Sequence, residues 1–205
     1  MKQLVTAIMC LLIVLSSAVT YATGLGDTFA DIEKTWNKGY KKVGPPIGSS
    51  RIVAIGISKA SCIRYTTGLE GYTFGNPERA GRLEGDARGL FGANAGSNPT
   101  KQQFIKSIKE LMPKDYKLLA AYSTDTPWRK EIYSFSSASF RRLPGIKDSF
   151  AYASDGMKHP VGSFMLIVNY DIDSKDRVMN FHLILGLPGE ADLSGLKKIA
   201  KNSFK

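Results

Sequence analysis

Cysteine and histidine are both scarce in this chain of 205 residues, which contains two of each. Cys10 lies in an apolar segment near the N-terminus, so a domain that begins after that segment contains Cys62 as its one thiol. Such a domain cannot form an internal disulfide and must rely on a hydrophobic core, which a chain of this length can build. His159 and His182 have no carboxylates near them at metal-ligand spacing, so the sequence predicts neither a metal site nor a cofactor.

The chain also lacks the short motifs of several common enzyme classes. It contains no G-x-S-x-G, no P-loop, no dinucleotide-binding fingerprint and no H-E-x-x-H, and these are the sequence signs of hydrolases, nucleotide-binding proteins and zinc proteases. The one Asn-x-Thr triplet has Pro99 at its centre and is therefore not a glycosylation site. Few cysteines and no glycosylation site are more typical of a bacterial periplasm than of a eukaryotic secretory route.

Residues 1–22 have the layout of a secretory signal peptide. A single lysine precedes an almost continuous apolar run over residues 4–19, and small residues stand before Ala18 and Ala22. We therefore expect cleavage after Ala18 or Ala22. The alternative is an uncleaved inner-membrane anchor, because the uncharged stretch that ends at Ala22 is just long enough to span a bilayer. Both interpretations place the rest of the chain outside the cytoplasm, in the periplasm or secreted.

The chain is basic, with a formal net charge of +10. Removal of residues 1–22 takes away one lysine and leaves +9. A surface of this charge favours anionic partners, such as lipid head groups, lipopolysaccharide phosphates, wall polymers or an acidic protein. Nucleic acid is not an expected partner in this compartment, and membrane contact is expected only through an uncleaved N-terminal segment.

Residues 23–205 are predicted to form a single α+β domain in which helices pack on one face of a largely antiparallel sheet. Thr100 and Gln103 form a capping-box pattern at the start of a helix that ends at Pro113. The other predicted helices begin at Asp27, with an apolar stripe that reaches Tyr40, and after Pro188-Gly189. Strands are predicted at residues 51–58, 61–67, 116–123, 131–140, 163–172 and 177–185.

The last two predicted strands form a hairpin around the polar turn Asp173–Asp176. Pairing of Ile172 with Arg177 brings the apolar residues of the two strands together on one face. The same register places His182 opposite Ile167 on the other face, next to two asparagines.

Residues 68–98 contain eight glycines and three arginines. This composition predicts a long glycine-rich loop, and such loops are usually functional or mobile. A short helix from Ala80 to Leu90 is the alternative, although its glycines would each weaken it.

Cys62 is the strongest candidate for a catalytic residue. Strand alternation places it on the same face as Arg64, a cation that could lower the pKa of the thiol, and His159 is the candidate base. The competing interpretation is a small buried hydrophobic residue. Glu84 and Asp86 in the glycine-rich loop are the alternative catalytic groups, and His182 is interpreted as a partly buried histidine or as a ligand.

A looser group of basic residues flanks the predicted strand 131–140. Arg129 and Lys130 stand at one end and Arg141 and Arg142 at the other, with Trp128 beside them. Arginine next to an aromatic ring is typical of surfaces that bind anions or glycans. These five residues form the predicted anionic-partner surface.

Three functions remain open from the sequence. The leading hypothesis is an exported, non-enzymatic interaction protein, either accessory to an envelope or secretion assembly or able to neutralise a partner protein. The second is an exported enzyme that uses Cys62 or loop carboxylates on cell-wall material. The third is a binder of anionic envelope polymer, lipid or DNA, whose binding would weaken steeply with salt.

Overall fold

The computed structural model describes residues 24–28, 31, 40–42, 52–58, 61–67, 79–90, 97–124, 129–143, 151–152, 158–159, 162–174 and 176–205. The predicted signal segment and nearly all of the first predicted helix lie outside the described residues. Where that helix was expected to end, residues 40–42 instead form a strand.

The described elements are mostly strands. The strands are β1 (Tyr40–Lys42), β2 (Ile52–Ser58), β3 (Ser61–Thr67), β4 (Ala80–Asp86), β5 (Lys117–Ser123), β6 (Lys130–Ser136), β7 (Ala151–Tyr152), β8 (Lys158–His159), β9 (Ser163–Tyr170), β10 (Val178–Leu185) and β11 (Lys197–Lys198). The α-helices are α1 (Lys101–Ile108), α2 (Ala138–Arg141) and α3 (Glu190–Leu193). Short 3-10 turns cover Ala87–Leu90, Lys109–Leu111 and Lys201–Ser203.

Nine of the described strands form one antiparallel sheet in the order β1-β2-β3-β4-β10-β9-β6-β5-β11. The β9–β10 hairpin lies at the centre of this sheet, between β4 and β6. β9 and β10 contribute side chains to apolar clusters on both faces of the sheet, which explains why they are so rich in apolar residues. The predicted antiparallel sheet is confirmed. Strands β7 and β8 pair with each other outside this sheet.

One face of the sheet carries the main hydrophobic core. Leu83, Leu183, Leu166 and Tyr133 are register partners on four adjacent strands, and all are almost completely buried. Alternation along each strand repeats this pattern in the neighbouring rows of the same face. Burial of this apolar surface is the largest favourable contribution to the stability of the fold.

Helix α1 packs on this core through Phe104, Ile105 and Ile108. The predicted capping box is present, because the Thr100 side chain accepts from the Gln103 amide and the Gln103 side chain accepts from the Thr100 amide. The reciprocal bonds satisfy backbone donors that would otherwise lack a partner at the helix start.

The predicted hairpin is confirmed, with a correction near its turn. Leu185 pairs with Phe164, Leu183 with Leu166 and Phe181 with Val168, as the register requires. Tyr170, however, pairs with Val178 and not with Met179, because an irregularity interrupts the register between residues 178 and 180. The extra residue of a β-bulge lies out of the ladder, and Met179 is accordingly exposed.

Three element predictions are wrong. Residues 80–86 form strand β4, not a loop or helix, and pair with β3 and β10 on both sides. The strand predicted at 131–140 ends at Ser136, and Ser137 then caps helix α2. The predicted C-terminal helix ends at Leu193, and residues 197–198 pair with β5 as strand β11.

The expected position of the helices also needs a correction. α1 and Phe140 of α2 pack on the main core. Leu193 of α3 and the nearby Leu196 instead pack against Ile132, Met165 and Ile184, which point to the opposite face of the sheet. The helices therefore lie on both faces, because α3 follows the end of β10 and covers part of the second face.

Candidate functional site

The second face of the sheet carries three rows of side chains that cross β4, β10, β9 and β6. The register defines the rows Arg82–Ile184–Met165–Ser134, Glu84–His182–Ile167–Ile132 and Asp86–Asn180–Asn169–Lys130. Leu193 and Leu196 pack over the two apolar residues of the first row, Ile184 and Met165. The remaining surface, which we call the open face, consists of Arg82, Glu84, Asp86, Lys130, Ile167, Asn169, Asn180 and His182.

A cluster of three charged or titratable side chains occupies one side of the open face. Glu84 Oε2 lies 2.5 Å from the Arg82 guanidinium and 3.0 Å from His182 Nδ1. The strand alternation and the β4–β10 register produce this cluster, because Glu84 and His182 are direct partners and Arg82 is two residues away on the same strand. The three side chains remain 22–37% exposed, so the cluster borders solvent.

The surroundings shift the pKa values of two members of this cluster. Burial lowers the pKa of His182, and the positive charges of Arg82 and Lys130 add to this effect, although the hydrogen bond to Glu84 opposes it. Burial alone would raise the pKa of Glu84, but Arg82 and the hydrogen bond from His182 lower it overall. At neutral pH the cluster therefore contains a carboxylate, a guanidinium and a neutral imidazole.

The rest of the open face is polar, except where Ile167 borders the covered apolar cluster. Asn169 Nδ2 donates to Asn180 Oδ1 at 2.7 Å, and Asp86 binds the Arg88 guanidinium at 2.8 Å. Half-buried Ile167 lies next to His182 in its row and next to Asn169 along β9, with Ile132 on its other side. Such a surface can accept and donate hydrogen bonds beside an apolar contact, a combination that protein-binding surfaces use.

The predicted thiol and base candidates lie on strands that do not pair with each other. Cys62 is the register partner of Gly56 on β3, and His159 is the partner of Ala151 in the separate β7–β8 pair. Arg64 is the register partner of Glu84. Nothing in these pairings brings Cys62 and His159 together.

The predicted basic surface is divided between two ends of β6. Arg129 and Lys130 stand at the start of β6, a strand about 20 Å long, whereas Arg141 and Arg142 follow its end, at the last turn of α2. Lys130 belongs to the open face, and Arg141 and Arg142 are exposed. Trp128 lies outside the described residues.

Arg129 contributes to a different group, which we call the Glu131 centre: Glu131, Arg129, Lys101, Tyr133 and Tyr170. Glu131 is 1% exposed. Its Oε2 accepts from the phenols of Tyr133 and Tyr170, each at 2.5 Å. Its Oε1 accepts from Arg129 at 2.8 Å and from Lys101 at 3.0 Å.

The Glu131 centre holds one buried carboxylate in its charged form. Burial favours the neutral acid, but hydrogen bonds from Tyr133 and Tyr170 and the charge of Lys101 lower the pKa of Glu131 overall. Burial and the adjacent carboxylate raise the pKa values of both tyrosines. Every oxygen of the carboxylate is hydrogen-bonded within the fold, so the arrangement is structural rather than a free reactive group.

Sequence reasoning missed the Arg82–Glu84–His182 cluster and the Glu131 centre. The sequence identifies Glu84 only as a loop carboxylate, because the glycines of residues 80–86 do not indicate a strand. A strand assignment for residues 80–86 would have placed Arg82 and Glu84 on one face by alternation. No local signal could have joined Glu131 to Tyr170, which lies on another strand.

Comparisons with protein-family models, with curated proteins and with solved structures found no match. Across the part of the chain that the structure describes, no group of three His, Cys, Asp or Glu side chains is arranged to hold a metal ion. None of the helices among the described residues is long and apolar enough to cross a bilayer.

Proposed function

We propose that this chain is an exported, non-enzymatic interaction protein that binds an acidic partner protein in the cell envelope through the open face. The observation that supports this proposal most is the composition of the three rows. Polar groups that hydrogen-bond to one another lie beside half-buried Ile167, which continues the apolar cluster of Ile132 and Met165, and the side chains of Arg82, Glu84 and His182 remain 22–37% exposed.

The mutual pairing of these polar groups favours binding over catalysis. Glu84 binds Arg82 at 2.5 Å and His182 at 3.0 Å, and Asn169 donates to Asn180. Groups that are already oriented lose little conformational entropy when a partner docks on them. Preorganised surfaces of this kind bind without large rearrangement of the sheet.

Charge indicates the nature of the partner. The open face carries two cations, Arg82 and Lys130, and two carboxylates, Glu84 and Asp86, so its own charges balance, whereas the whole chain has a formal net charge of +10. A protein of strong positive net charge associates faster with an acidic partner and disfavours basic competitors. The partly exposed apolar residue Ile167 favours a folded protein over a uniform polyanion, which offers charge but little apolar contact.

Export is supported by the signal-like layout of residues 1–22 and by the scarcity of cysteine. An assembly accessory and a neutraliser of a partner protein both fit this location. The chemistry of the open face fits both roles. The identity of the captured partner distinguishes them.

One observation favours a second candidate, an exported hydrolase. A carboxylate bound to Nδ1 orients a histidine so that Nε2 can act as a base, and Glu84 binds His182 in this way. The two candidates differ in their response to His182→Gln. This substitution would abolish hydrolysis of wall material by the hydrolase, but it would leave a binding protein able to capture its partner with moderately reduced affinity.

The experiment that tests the proposal is affinity purification of the tagged exported chain from its native envelope fraction at physiological salt, with mass spectrometry of the co-eluting proteins. We expect one acidic protein in near-stoichiometric amount. Recovery of anionic polymer or lipid without any protein, released by a modest increase in salt, would overturn the proposal in favour of polymer binding.

A further inference from the structure

The edge of the sheet at β5 and β11 presents an apolar side chain to solvent. β11 pairs with β5 only at Tyr122 and Ser123, so no described strand pairs with the outer side of residues 117–120. Leu119 lies on this stretch, at the irregularity of the β5–β6 register, and is 41% exposed. A large apolar residue is therefore accessible at the edge of the sheet.

Exposed lysines flank Leu119 along this edge. Lys117 precedes Leu119 by two residues, which is about 7 Å at the rise of a strand. Lys198 is the register partner of Tyr122, which follows Leu119 by three residues, or about 10 Å. Both lysines are exposed. Their charges therefore act on any ligand that contacts Leu119, since the screening length is about 10 Å at roughly 0.1 M salt.

The C-terminal residues bring two more lysines to the same edge. Phe204 is 6% exposed, and its ring packs at 6.2 Å from that of Tyr116, the residue before Lys117. The Phe204 amide donates to the Lys201 carbonyl at 3.4 Å. Burial of Phe204 thus holds Lys201 and Lys205 beside the start of β5, and both lysines are exposed.

We call this group the basic edge: Lys117, Leu119, Lys198, Lys201 and Lys205. Residues 116–124 and 198–205, which contain it, include no aspartate or glutamate. Among the residues that the structure describes, no carboxylate forms an ion pair with any of these four lysines. Asp115, which borders the first segment, accepts from the Ser139 amide at 2.8 Å, and Asp125 lies outside the described residues. The basic edge therefore carries an excess of positive charge, whereas the charges of the open face balance.

We propose that the basic edge is a docking surface for a lipid bilayer with anionic head groups. Lysines are attracted to the negative potential of such a bilayer, and their long side chains reach the head-group phosphates. Leu119 then enters the boundary between the head groups and the acyl chains. This apolar contact favours a bilayer over a soluble polyanion, which offers charge without an apolar layer.

The inference does not rest on the open face, which lies on other strands and stays available to a protein partner. It extends the expectation from the sequence, in which membrane contact was restricted to an uncleaved N-terminal segment.

Edge lysines have a second known role, because their charge prevents pairing with the edge of another chain. Lys117 and Lys198 suit that role, but Lys201 and Lys205 lie outside the strands, and an exposed leucine works against it. Glutamate protects an edge as lysine does, whereas it is repelled by an anionic bilayer. A change from lysine to glutamate therefore distinguishes the two roles.

The test measures binding of the full chain to vesicles by co-sedimentation. One set of vesicles contains equal parts of phosphatidylglycerol and phosphatidylcholine, and the other contains phosphatidylcholine alone. We expect stronger binding to the anionic vesicles at about 0.1 M salt, and a loss of that difference at about 1 M salt. Residues 1–22 are the same in every variant, so any insertion through them cancels when variants are compared.

Lys198→Glu is expected to lower the partition coefficient for anionic vesicles about tenfold, because an anion replaces a cation next to the bilayer. Lys106→Glu is the matched control on α1, at another exposed lysine, and should change it less than about twofold. Thermal melting checks that each variant is folded. If Lys198→Glu does not fold, Lys201→Glu, which lies outside the strands, replaces it.

Leu119→Ser tests the apolar contact and is expected to lower the partition coefficient about threefold. Its control is Ile172→Ser, since Ile172 is 49% exposed but lies at the β9–β10 turn between Asp171 and Asp173. This control should bind as the original chain does.

Equal binding to the two sets of vesicles, or equal effects of Lys198→Glu and Lys106→Glu, would overturn the inference. Complete release from anionic vesicles by soluble polyphosphate, together with unchanged binding of Leu119→Ser, would also overturn it and would assign the basic edge to a soluble polyanion. Lys130→Glu, on the open face, is expected to leave vesicle binding unchanged, so failure of this inference is distinguishable from failure of partner capture.

Discussion

The carboxylate of Glu131 and the phenol of Tyr170 are 39 residues apart in the chain and 2.5 Å apart in the fold. This bond joins β6 to the end of β9, and the Lys101 ammonium ties the start of α1 to the same carboxylate. The Glu131 centre therefore connects three elements at one end of the main core. Its position indicates a role in holding the fold, since the open face lies on the other side of the sheet.

Glu131→Gln is expected to lower the free energy of unfolding by about 3 kcal/mol, because removal of one member of a buried ion pair leaves its partners uncompensated. Lys101 and Arg129 would keep their charges in a poorly solvated place, and two phenols would share a weaker acceptor. Urea denaturation at pH 7 measures the change.

Glu110→Gln is the matched control for this loss of charge. Glu110 pairs with Lys114 at the surface and is largely exposed, so the substitution is expected to change stability by less than about 0.5 kcal/mol. Equal losses for the two variants would mean that Glu131 is not buried in its ion-pair network.

The lowered pKa of His182 predicts a pH dependence of stability. Because burial holds the folded pKa below the unfolded value near 6.5, the unfolded chain binds more protons, and stability is lost as the pH falls through about 6.5. His182→Gln is expected to reduce the slope of Tm between pH 7.5 and 5.5. A slope that is identical in the variant would contradict the assigned environment of His182.

Asp115 predicts a second titration, at lower pH. Burial would raise its pKa, but hydrogen bonds from Ser137 and Ser139 lower it to about 2. The stability from these bonds is complete above about pH 4 and is lost as the pH falls through 2. Asp115→Asn is therefore expected to lower Tm at pH 7 and to have a smaller effect at pH 2, which thermal melts followed by circular dichroism would measure. A constant difference across this range would contradict the pKa.

Gly195 turns the chain after α3 with a φ of +74°. An added Cβ would meet no atom within 4 Å, so Gly195→Ala is expected to cost about 1 kcal/mol through backbone conformation alone. Gly195→Asn is the control and should cost less, because asparagine tolerates this conformation. Equal stability of the alanine variant and the original chain, by urea denaturation, would show that residue 195 does not hold a left-handed conformation.

Local signals in the sequence were sufficient to predict the elements whose contacts all lie within a short stretch of the chain. The Thr100–Gln103 capping box needs only neighbours on the same helix, and the β9–β10 hairpin needs only a short turn. Both were predicted correctly, apart from the bulge near Met179. The alternation of that hairpin also placed His182 opposite Ile167 on the second face.

Elements that depend on distant partners were not predicted. Strand β4 contains Gly81 and Gly85, which resemble loop residues until β3 and β10 pair on both sides of them. Residues 197–198 follow a helical pattern, but pairing with β5 makes them a strand. Tertiary contacts outweigh local preference in both places, and the same dependence on distant strands concealed the Arg82–Glu84–His182 cluster.

The most direct test of the central claim, that the open face binds an acidic protein, compares two charge reversals in the capture experiment. Lys130→Glu changes the open face, and Lys106→Glu makes the same change at an exposed position on α1. We expect Lys130→Glu to reduce the co-purified partner about tenfold, a loss of roughly 1.4 kcal/mol in binding, and Lys106→Glu to leave it unchanged, with both variants folded by thermal melting. Equal capture by both variants would contradict the account, and so would an equal loss in both.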